Sequence, residues 1–136
     1  IEPYQPDTAP LIMISNNLVY STKDGSDSLA LIGQRDVMIP RYVPDTMEVD
    51  GILVAQNGAV QRFYFPGDIK TKLTTYGSII TNGVWTWAWV SGGGAVVSGF
   101  RTVDSIYDPN LLYSAPPYFP TKEEFRRIRW EEVTNE

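Results

Sequence analysis

The 136-residue sequence contains no cysteine and no histidine. Without histidine, the chain lacks the commonest general base and transition-metal ligand. Without cysteine, it has no thiol nucleophile, no thiolate zinc site and no disulfide, so its stability must come from packing. No run of 18 apolar residues occurs, which excludes a membrane-spanning helix within this sequence. We therefore expect no metal, no cofactor and no direct membrane contact.

Positive charge is also scarce. Eleven lysines and arginines face 16 aspartates and glutamates, which gives a net charge of −5. Nucleic-acid binding needs basic side chains that neutralise phosphates, so we expect no nucleic-acid partner. The one basic cluster lies near the C-terminus and alternates with glutamates, which is typical of a solvated surface. It consists of Lys122, Arg126, Arg127 and Arg129.

The chain has the size and composition of one folded domain, with 43% hydrophobic and 20% charged residues. Residues 1–10 hold three prolines and no apolar period, so they are expected to form an extended lead-in. Residues 11–107 form a β-rich body. Residues 108–136 are expected to be a strap and tail of the same domain.

Short runs rich in valine, isoleucine, threonine and aromatic residues fill the body, and polar turn residues separate them. This pattern predicts an all-β protein. Residues 121–133 allow two predictions. Thr121 and Glu124 resemble a capping box, which favours a helix. The run "FRRIRW" (125–130) is equally compatible with a last strand.

Two architectures fit these runs. Asn57-Gly58 and Asn82-Gly83 are strong hairpin signals, and they favour an antiparallel β-sandwich. A weak internal repeat favours a β-solenoid of stacked coils instead. In this repeat Leu11 aligns with Leu29, and Gly51 aligns with Gly77. The pattern alone slightly favours hairpins.

Three stretches carry a resemblance to a known family: "SLALIGQRDVMIPRYVPDTMEVDGILVAQNGAVQRFYF" (28–65), "LTTYGSIITNG" (73–83) and "VSGFRTVDSIYDPNLLYSAPPYFPT" (97–121). They resemble the C-terminal domain of unknown function of bacterial minor-pilin-like, type IV pilus assembly-like (PilX-type) proteins. With the trailing Trp130, the resemblance spans about residues 28–132. It favours the solenoid, a right-handed β-helix-like stack with a proline- and aromatic-rich strap.

The resemblance also implies a function and a setting. It implies a non-catalytic structural or adhesive domain, exposed on the bacterial surface or outside the cell. It further implies an N-terminal pilin-like membrane helix before this chain as its anchor. Other pilus or envelope proteins, or further copies of the chain, would be the partners. No enzymatic activity comes with the family.

The run "VWTWAWV" (84–90) places tryptophans at every second position. In a strand, Trp85, Trp87 and Trp89 would share one face. Such a face predicts a stacking platform for sugar rings or for the apolar groups of a partner protein, and a carbohydrate-binding module is the alternative function. The competing expectation, which we favour, is that the tail "LLYSAPPYFP" (111–120) folds over the indoles, because large exposed apolar patches are rare. Tyr64 or Tyr76 could extend the platform.

The remaining motifs are weaker. "SGGG" (91–94) lacks the lysine of a phosphate loop and predicts a flexible loop or a tight corner. Asp24 and Asp27 offer too few ligands for calcium and favour a simple turn. A glycosidase would need two carboxylates across a cleft. No spacing singles out such a pair among the candidates, so we expect no enzyme. These are Asp36, Asp45, Glu48, Asp50 and Asp104.

Overall fold

The computed structural model describes residues 8–119, which fold as a β-solenoid of about four turns. All neighbouring strands pair in parallel, except β7 with β8. The prediction of an all-β solenoid is confirmed, and the antiparallel sandwich is wrong. The strands are β1 (Ile12–Met13), β2 (Ala30–Gly33), β3 (Val37–Ile39), β4 (Thr46–Ala55), β5 (Val60–Arg62), β6 (Ile69–Thr81), β7 (Ala88–Val90) and β8 (Val96–Tyr107). A 3₁₀ helix (Pro109–Leu112) follows.

Each coil has three sides. Strands β1, β3 and β5 form one sheet, and the other has five strands in the order β2-β4-β6-β8-β7. Gly51 and Gly77 pair with each other inside β4 and β6, with φ angles of +145° and +141°. These backbone conformations divide each strand into a first leg before the glycine and a second leg from the glycine onward. The β1-β3-β5 sheet makes the third side.

The Asn-Gly pairs form stacked corners between the second leg and the third side. Gly58 N donates to Arg35 O at 2.7 Å, and Gly83 N donates to Gly58 O at 2.7 Å. The side chain of Asn82 donates to Asn57 O at 3.1 Å. These bonds join one coil to the next, whereas a hairpin turn joins adjacent strands. The hairpin prediction at both pairs is therefore wrong.

The described chain has its β-hairpin elsewhere, between β7 and β8. Ser91 N donates to Ala95 O, and Gly94 N donates to Ser91 O, both at 2.9 Å. Gly94 has a φ of +86°, which glycine adopts without strain. The glycine triplet is thus the turn of this hairpin, as its sequence predicts.

The internal repeat is correct in one half. Gly51 stacks on Gly77, 26 residues later, as aligned. The alignment of Leu11 with Leu29 is wrong, because Ile12 of β1 pairs with Val37, 25 residues later. The two leucines occur in similar apolar sequences that lie on different sides of a coil, and this similarity explains the incorrect alignment.

Stacked apolar side chains fill the coil interior. Met47 of β4 stacks on Leu73 of β6, which stacks on Val103 of β8. Trp87 and Phe100 join this core at the last coil, where they are 4% and 1% exposed. Among residues 8–119, the buried members of this cluster are Ile14, Val37, Ile39, Met47, Val49, Leu53, Ala55, Val60, Leu73, Trp87 and Phe100.

The strap, residues 108–119, runs along the outside of the coils. Asp108 accepts a hydrogen bond from the Tyr76 hydroxyl at 3.1 Å. The side chain of Asn110 donates to Lys23 O at 3.2 Å. Farther along, Phe119 lies in a depression that Ile80 of β6 also lines. The helix-or-strand question for residues 121–133 lies outside the described residues.

The Gly51–Gly77 corner makes a testable prediction. A Cβ on residue 77 would overlap the Gly51 carbonyl, and its φ is unfavourable for any other residue. Strain of this kind costs about 1–3 kcal/mol, and the overlap adds to it. Gly77→Ala should therefore lower the free energy of unfolding, measured by urea denaturation, by more than that strain alone.

Two glycines in the β7–β8 turn provide matched controls. Gly94 has a positive φ but open space around its Cα, so Gly94→Ala should show the strain alone. Gly92 has neither constraint, and Gly92→Ala should stay within about 0.5 kcal/mol of the wild type. Equal effects at all three positions would contradict the close packing at the corner.

Candidate binding groove at the last coil

The last coil is incomplete. Strand β8 pairs with Ile69–Gly77 of β6, but the second leg beyond Gly77 has no partner on that side among residues 8–119. On the third side, Thr86 alone continues the stack by bridging to Gln61. The interior of the solenoid is therefore open between the end of β8 and the chain around Trp85.

This opening is a groove of about 250 Å³. Leu53 forms its floor and is 1% exposed. Ile79, Trp85 and Tyr107 supply apolar walls, and serine and threonine hydroxyls stand among them. An apolar side chain or the face of a sugar ring suits this chemistry. The lining residues are Gly51, Leu53, Thr75, Gly77, Ser78, Ile79, Thr81, Trp85, Ser105, Ile106 and Tyr107.

Sequence reasoning found Trp85 but missed the other groove residues. Ile79 and Ile80 are adjacent apolar residues, so one must point inward and the other outward in a strand. This adjacent pair was the available signal, because a strand with two apolar faces needs other groups to cover both of them. Ile80 is 50% exposed on the outer face.

The three indoles do not share a face, so that expectation is wrong. Trp85 precedes the strand and is 43% exposed, whereas Trp87 is buried in the core. The chain bends at Trp87, and only Ala88–Val90 forms a strand. The bend interrupts the two-residue alternation. Among the three candidates, only Trp85 lines the groove.

Trp89 belongs to a different surface. Its indole N–H donates to Arg62 O at 3.1 Å. Its ring meets Tyr64 edge-on, with the ring centres 5.9 Å apart. Tyr76, the other candidate for the platform, lies instead beside Asp108 and is 8% exposed.

The described part of the tail does not cover the indoles. Leu111, Ala115 and Phe119 of the strap lie in a depression on the second-leg face, together with Ile52 and Ile80. Pro117 lies in another depression, beside Leu18 and Tyr20. Trp85 and Trp89 are 43% and 38% exposed. Over residues 111–119, the expectation that the tail folds over the tryptophans is therefore wrong.

Next to the last coil, the buried side chain of Arg62 forms an ion pair with Asp68. Arg62 is fully buried, and its guanidinium lies 2.7 Å from Asp68 Oδ1. Arg41 lies 3.2 Å from the other carboxylate oxygen of Asp68. Burial opposes ionisation of Asp68, but hydrogen bonds from both arginines outweigh it, so the pKa of Asp68 lies below its ordinary value.

A second charged cluster lies at the corner between the first and second legs. Lys23 Nζ lies 2.6 Å from Glu48, and hydrogen bonding to Lys23 lowers the pKa of Glu48. Burial raises the pKa of Asp50, whose side chain is fully buried. Asp50 Oδ2 accepts from Tyr20 N at 2.8 Å, whereas its Oδ1 has no hydrogen-bond partner within residues 8–119.

Each of the five candidate carboxylates makes a contact that supports the fold. Asp36 contacts Ala59 and Arg35, and Asp45 contacts Thr71. Glu48 contacts Lys23, Asp50 contacts Tyr20, and Asp104 contacts Lys72. They stabilise corners and strand pairs. None of the five lines the groove.

The Asp24 loop is a side-chain-stabilised turn, as its sequence predicts. Asp24 accepts from Ser26 N at 2.9 Å and from the Thr22 hydroxyl at 2.8 Å. Hydrogen bonds from Ser26 and Thr22 lower the pKa of Asp24 to about 2. Among residues 8–119, no group of three or more acidic side chains could hold a metal ion, and no helix is long and apolar enough to cross a membrane.

The pKa of Asp68 is lowered and that of Asp50 is raised, so the same Asp→Asn substitution should affect stability differently at the two positions. Asp68→Asn removes the charge that pairs with buried Arg62, and breaking such a pair costs about 3 kcal/mol. Asp50→Asn removes a charge that burial disfavours, so it should leave stability near pH 7 within about 1 kcal/mol of the wild type, or raise it. Urea denaturation of both variants measures the difference.

The contribution of Asp68 should also depend on pH. Because its pKa is lower in the folded protein, its stabilisation is complete above the ordinary value of about 4 and is lost as pH falls through the folded value. The gap in Tm between wild type and Asp68→Asn should therefore shrink below pH ~4. A gap that stays constant down to pH ~2 would contradict this linkage.

Comparison with known protein families, with curated proteins and with solved structures found no match. The resemblance to the pilus-related domain therefore stays a prediction from its sequence motifs. The structure adds a solenoid with one continuous core and an apolar groove at one end.

Proposed function

We propose that this chain is a non-catalytic structural or adhesive domain of a surface-exposed, type IV pilus-related bacterial protein. The observation that carries the proposal is the apolar groove at the open end of the solenoid. Because each coil contacts only its neighbours, the stacked coils form a rod with one continuous core. Its last coil presents a groove with exposed Trp85, Ile106 and Tyr107. Exposed apolar groups gathered in this way mark interaction sites.

The sequence motifs supply the biological setting. They span most of the described coils, and the third, residues 97–121, starts in β8 and continues into the strap. A pilus or envelope protein, or a further copy of the chain, is the expected partner. A membrane anchor that precedes this chain would hold the domain at the cell surface.

The setting can be tested in the bacterium that produces the protein. An antibody against the domain should label intact cells and should detect the protein in the surface fraction that shearing releases together with pili. Deleting the gene should reduce piliation or attachment to surfaces, and the wild-type gene should restore it. Labelling of lysed cells only, with piliation and attachment unchanged, would contradict the proposal.

A carbohydrate-binding module is the second candidate, and the groove is the observation that favours it. Trp85 and Tyr107 stand next to the hydroxyls of Ser78 and Ser105. Aromatic faces stack on sugar rings, while hydroxyl groups can bond to sugar hydroxyls. A recognition site of this kind would use Trp85, as the sequence indicated, but not Trp87 or Trp89.

A glycan array tests this second function. The wild type should bind a defined set of glycans, and Trp85→Ala should lose about two- to tenfold in affinity, because an aromatic contact of this type contributes about 0.5–1.5 kcal/mol. Tyr113→Ala, at a site that is 90% exposed and outside the groove, should bind normally. An array without a wild-type signal would eliminate the carbohydrate-binding function.

A further inference from the structure

The sequence contains two Asn-Gly pairs, Asn57-Gly58 and Asn82-Gly83, and each forms a corner of the solenoid. An asparagine followed by glycine is prone to spontaneous deamidation, because glycine has no side chain to hinder attack by its own backbone nitrogen on the asparagine amide. The two corners share this intrinsic reactivity. Any difference between them in the folded protein must therefore come from their surroundings.

The reaction needs only the chain and water. The backbone nitrogen of the glycine attacks the side-chain carbonyl carbon of the asparagine, and the new C–N bond closes a succinimide ring. The side-chain nitrogen leaves as ammonia, together with the proton that the glycine nitrogen gives up. Water then opens the ring at either carbonyl, which yields aspartate or isoaspartate without oxidation or reduction. The attack requires that the glycine N–H first leaves its hydrogen bond.

The Asn57-Gly58 corner is held by the coils on both sides of it. Its glycine N–H donates to Arg35 O at 2.7 Å, and its asparagine side chain donates to Gln34 O at 2.8 Å, both in the previous coil. The next coil donates to the two carbonyl oxygens of this corner, from Gly83 N and from the Asn82 side chain. Opening the corner therefore breaks bonds to two coils.

Among residues 8–119, the Asn82-Gly83 corner is held by one neighbouring coil only. Its glycine N–H donates to Gly58 O at 2.7 Å, and its asparagine side chain donates to Asn57 O at 3.1 Å, both in the previous coil. Gly83 is exposed, whereas Gly58 is half-buried. Local opening is easiest where the fewest bonds must break, so the N–H of Gly83 is freed more often than that of Gly58.

A carboxylate also distinguishes the two corners. Asp36 Oδ1 accepts from Ala59 N at 2.8 Å, and it lies where a side chain on Gly58 would point. The other oxygen of Asp36 pairs with Arg35, so Oδ1 is the one that faces the glycine. Negative charge at this place opposes loss of the Gly58 N–H proton, which the attack requires. The equivalent neighbour of Gly83 is the uncharged methyl group of Ala59.

We propose that Asn82 is a site of spontaneous deamidation in the folded protein, whereas the stacked coils protect Asn57. The product places a carboxylate opposite Asn57 O and removes the N–H group that donated to it. Isoaspartate also lengthens the main chain before Gly83, which displaces the bond to Gly58 O. The change lies three residues before Trp85, so it loosens one wall of the groove. The inference does not depend on the proposed function, because the reaction needs no partner and no particular location.

Peptide mapping of the full chain tests the proposal. The folded protein is incubated in mildly alkaline buffer, digested with trypsin and analysed by mass spectrometry. Trypsin cleaves after lysine and arginine, so Asn57 falls in peptide 42–62 and Asn82 in peptide 73–101. Because opening the inner corner breaks two further hydrogen bonds, deamidation should be at least about fivefold faster at Asn82. In protein unfolded by urea, the two sites should react at similar rates.

Gly83→Ala provides the matched variant. A methyl group on residue 83 hinders the attack, and the φ of this residue lies outside the region that favours glycine. Deamidation at Asn82 should slow in this variant, while the rate at Asn57 stays as in the wild type. Equal rates at the two asparagines of the folded wild type, a faster reaction at Asn57, or a reaction in the unfolded protein only would each overturn the proposal.

Discussion

The stacking of Gly77 on Gly51 is the constraint on which the rest of the structure depends. Neighbouring coils approach so closely at this corner that a Cβ on residue 77 would meet the carbonyl of residue 51. The approach keeps the first and second legs of β4 and β6 in register over ten residue pairs. That register stacks Met47 on Leu73 and places Trp85, Ile79 and Tyr107 around one opening. A shift at the glycines would remove the core and the groove together.

The β-forming runs and turn residues are local signals, and they predicted an all-β protein. The solenoid was predicted from the resemblance, because the pattern alone slightly favoured hairpins. Sequence reasoning aligned Gly51 with Gly77 correctly because both glycines serve the same corner. It misassigned Asn57-Gly58 and Asn82-Gly83, because an Asn-Gly pair has the same local preference at a hairpin and at a solenoid corner. Which of the two forms is decided by long-range bonds such as Gly83 to Gly58, and these leave no local mark in the sequence.

The candidate site was harder to predict for a related reason. Strict alternation placed Trp85, Trp87 and Trp89 on one face, but alternation holds only inside a strand. The bend at Trp87 sends its indole into the last coil, where it closes the core beside Phe100. The groove also needs Tyr107 from β8 and Leu53 from β4, which are distant in sequence. Only the coil register brings them together.

The corner column has a consequence for how such a chain can change its length. Backbone hydrogen bonds link Pro10, Arg35, Gly58 and Gly83 in series. Arg35 and Gly58 each donate an N–H to the previous coil and accept an N–H from the next coil at their carbonyl oxygen. An extra coil of matching pattern could be inserted between two of them without new contacts having to be invented. Gene duplication could therefore lengthen or shorten the rod, while the two ends, which have no such equivalents, would evolve under separate constraints.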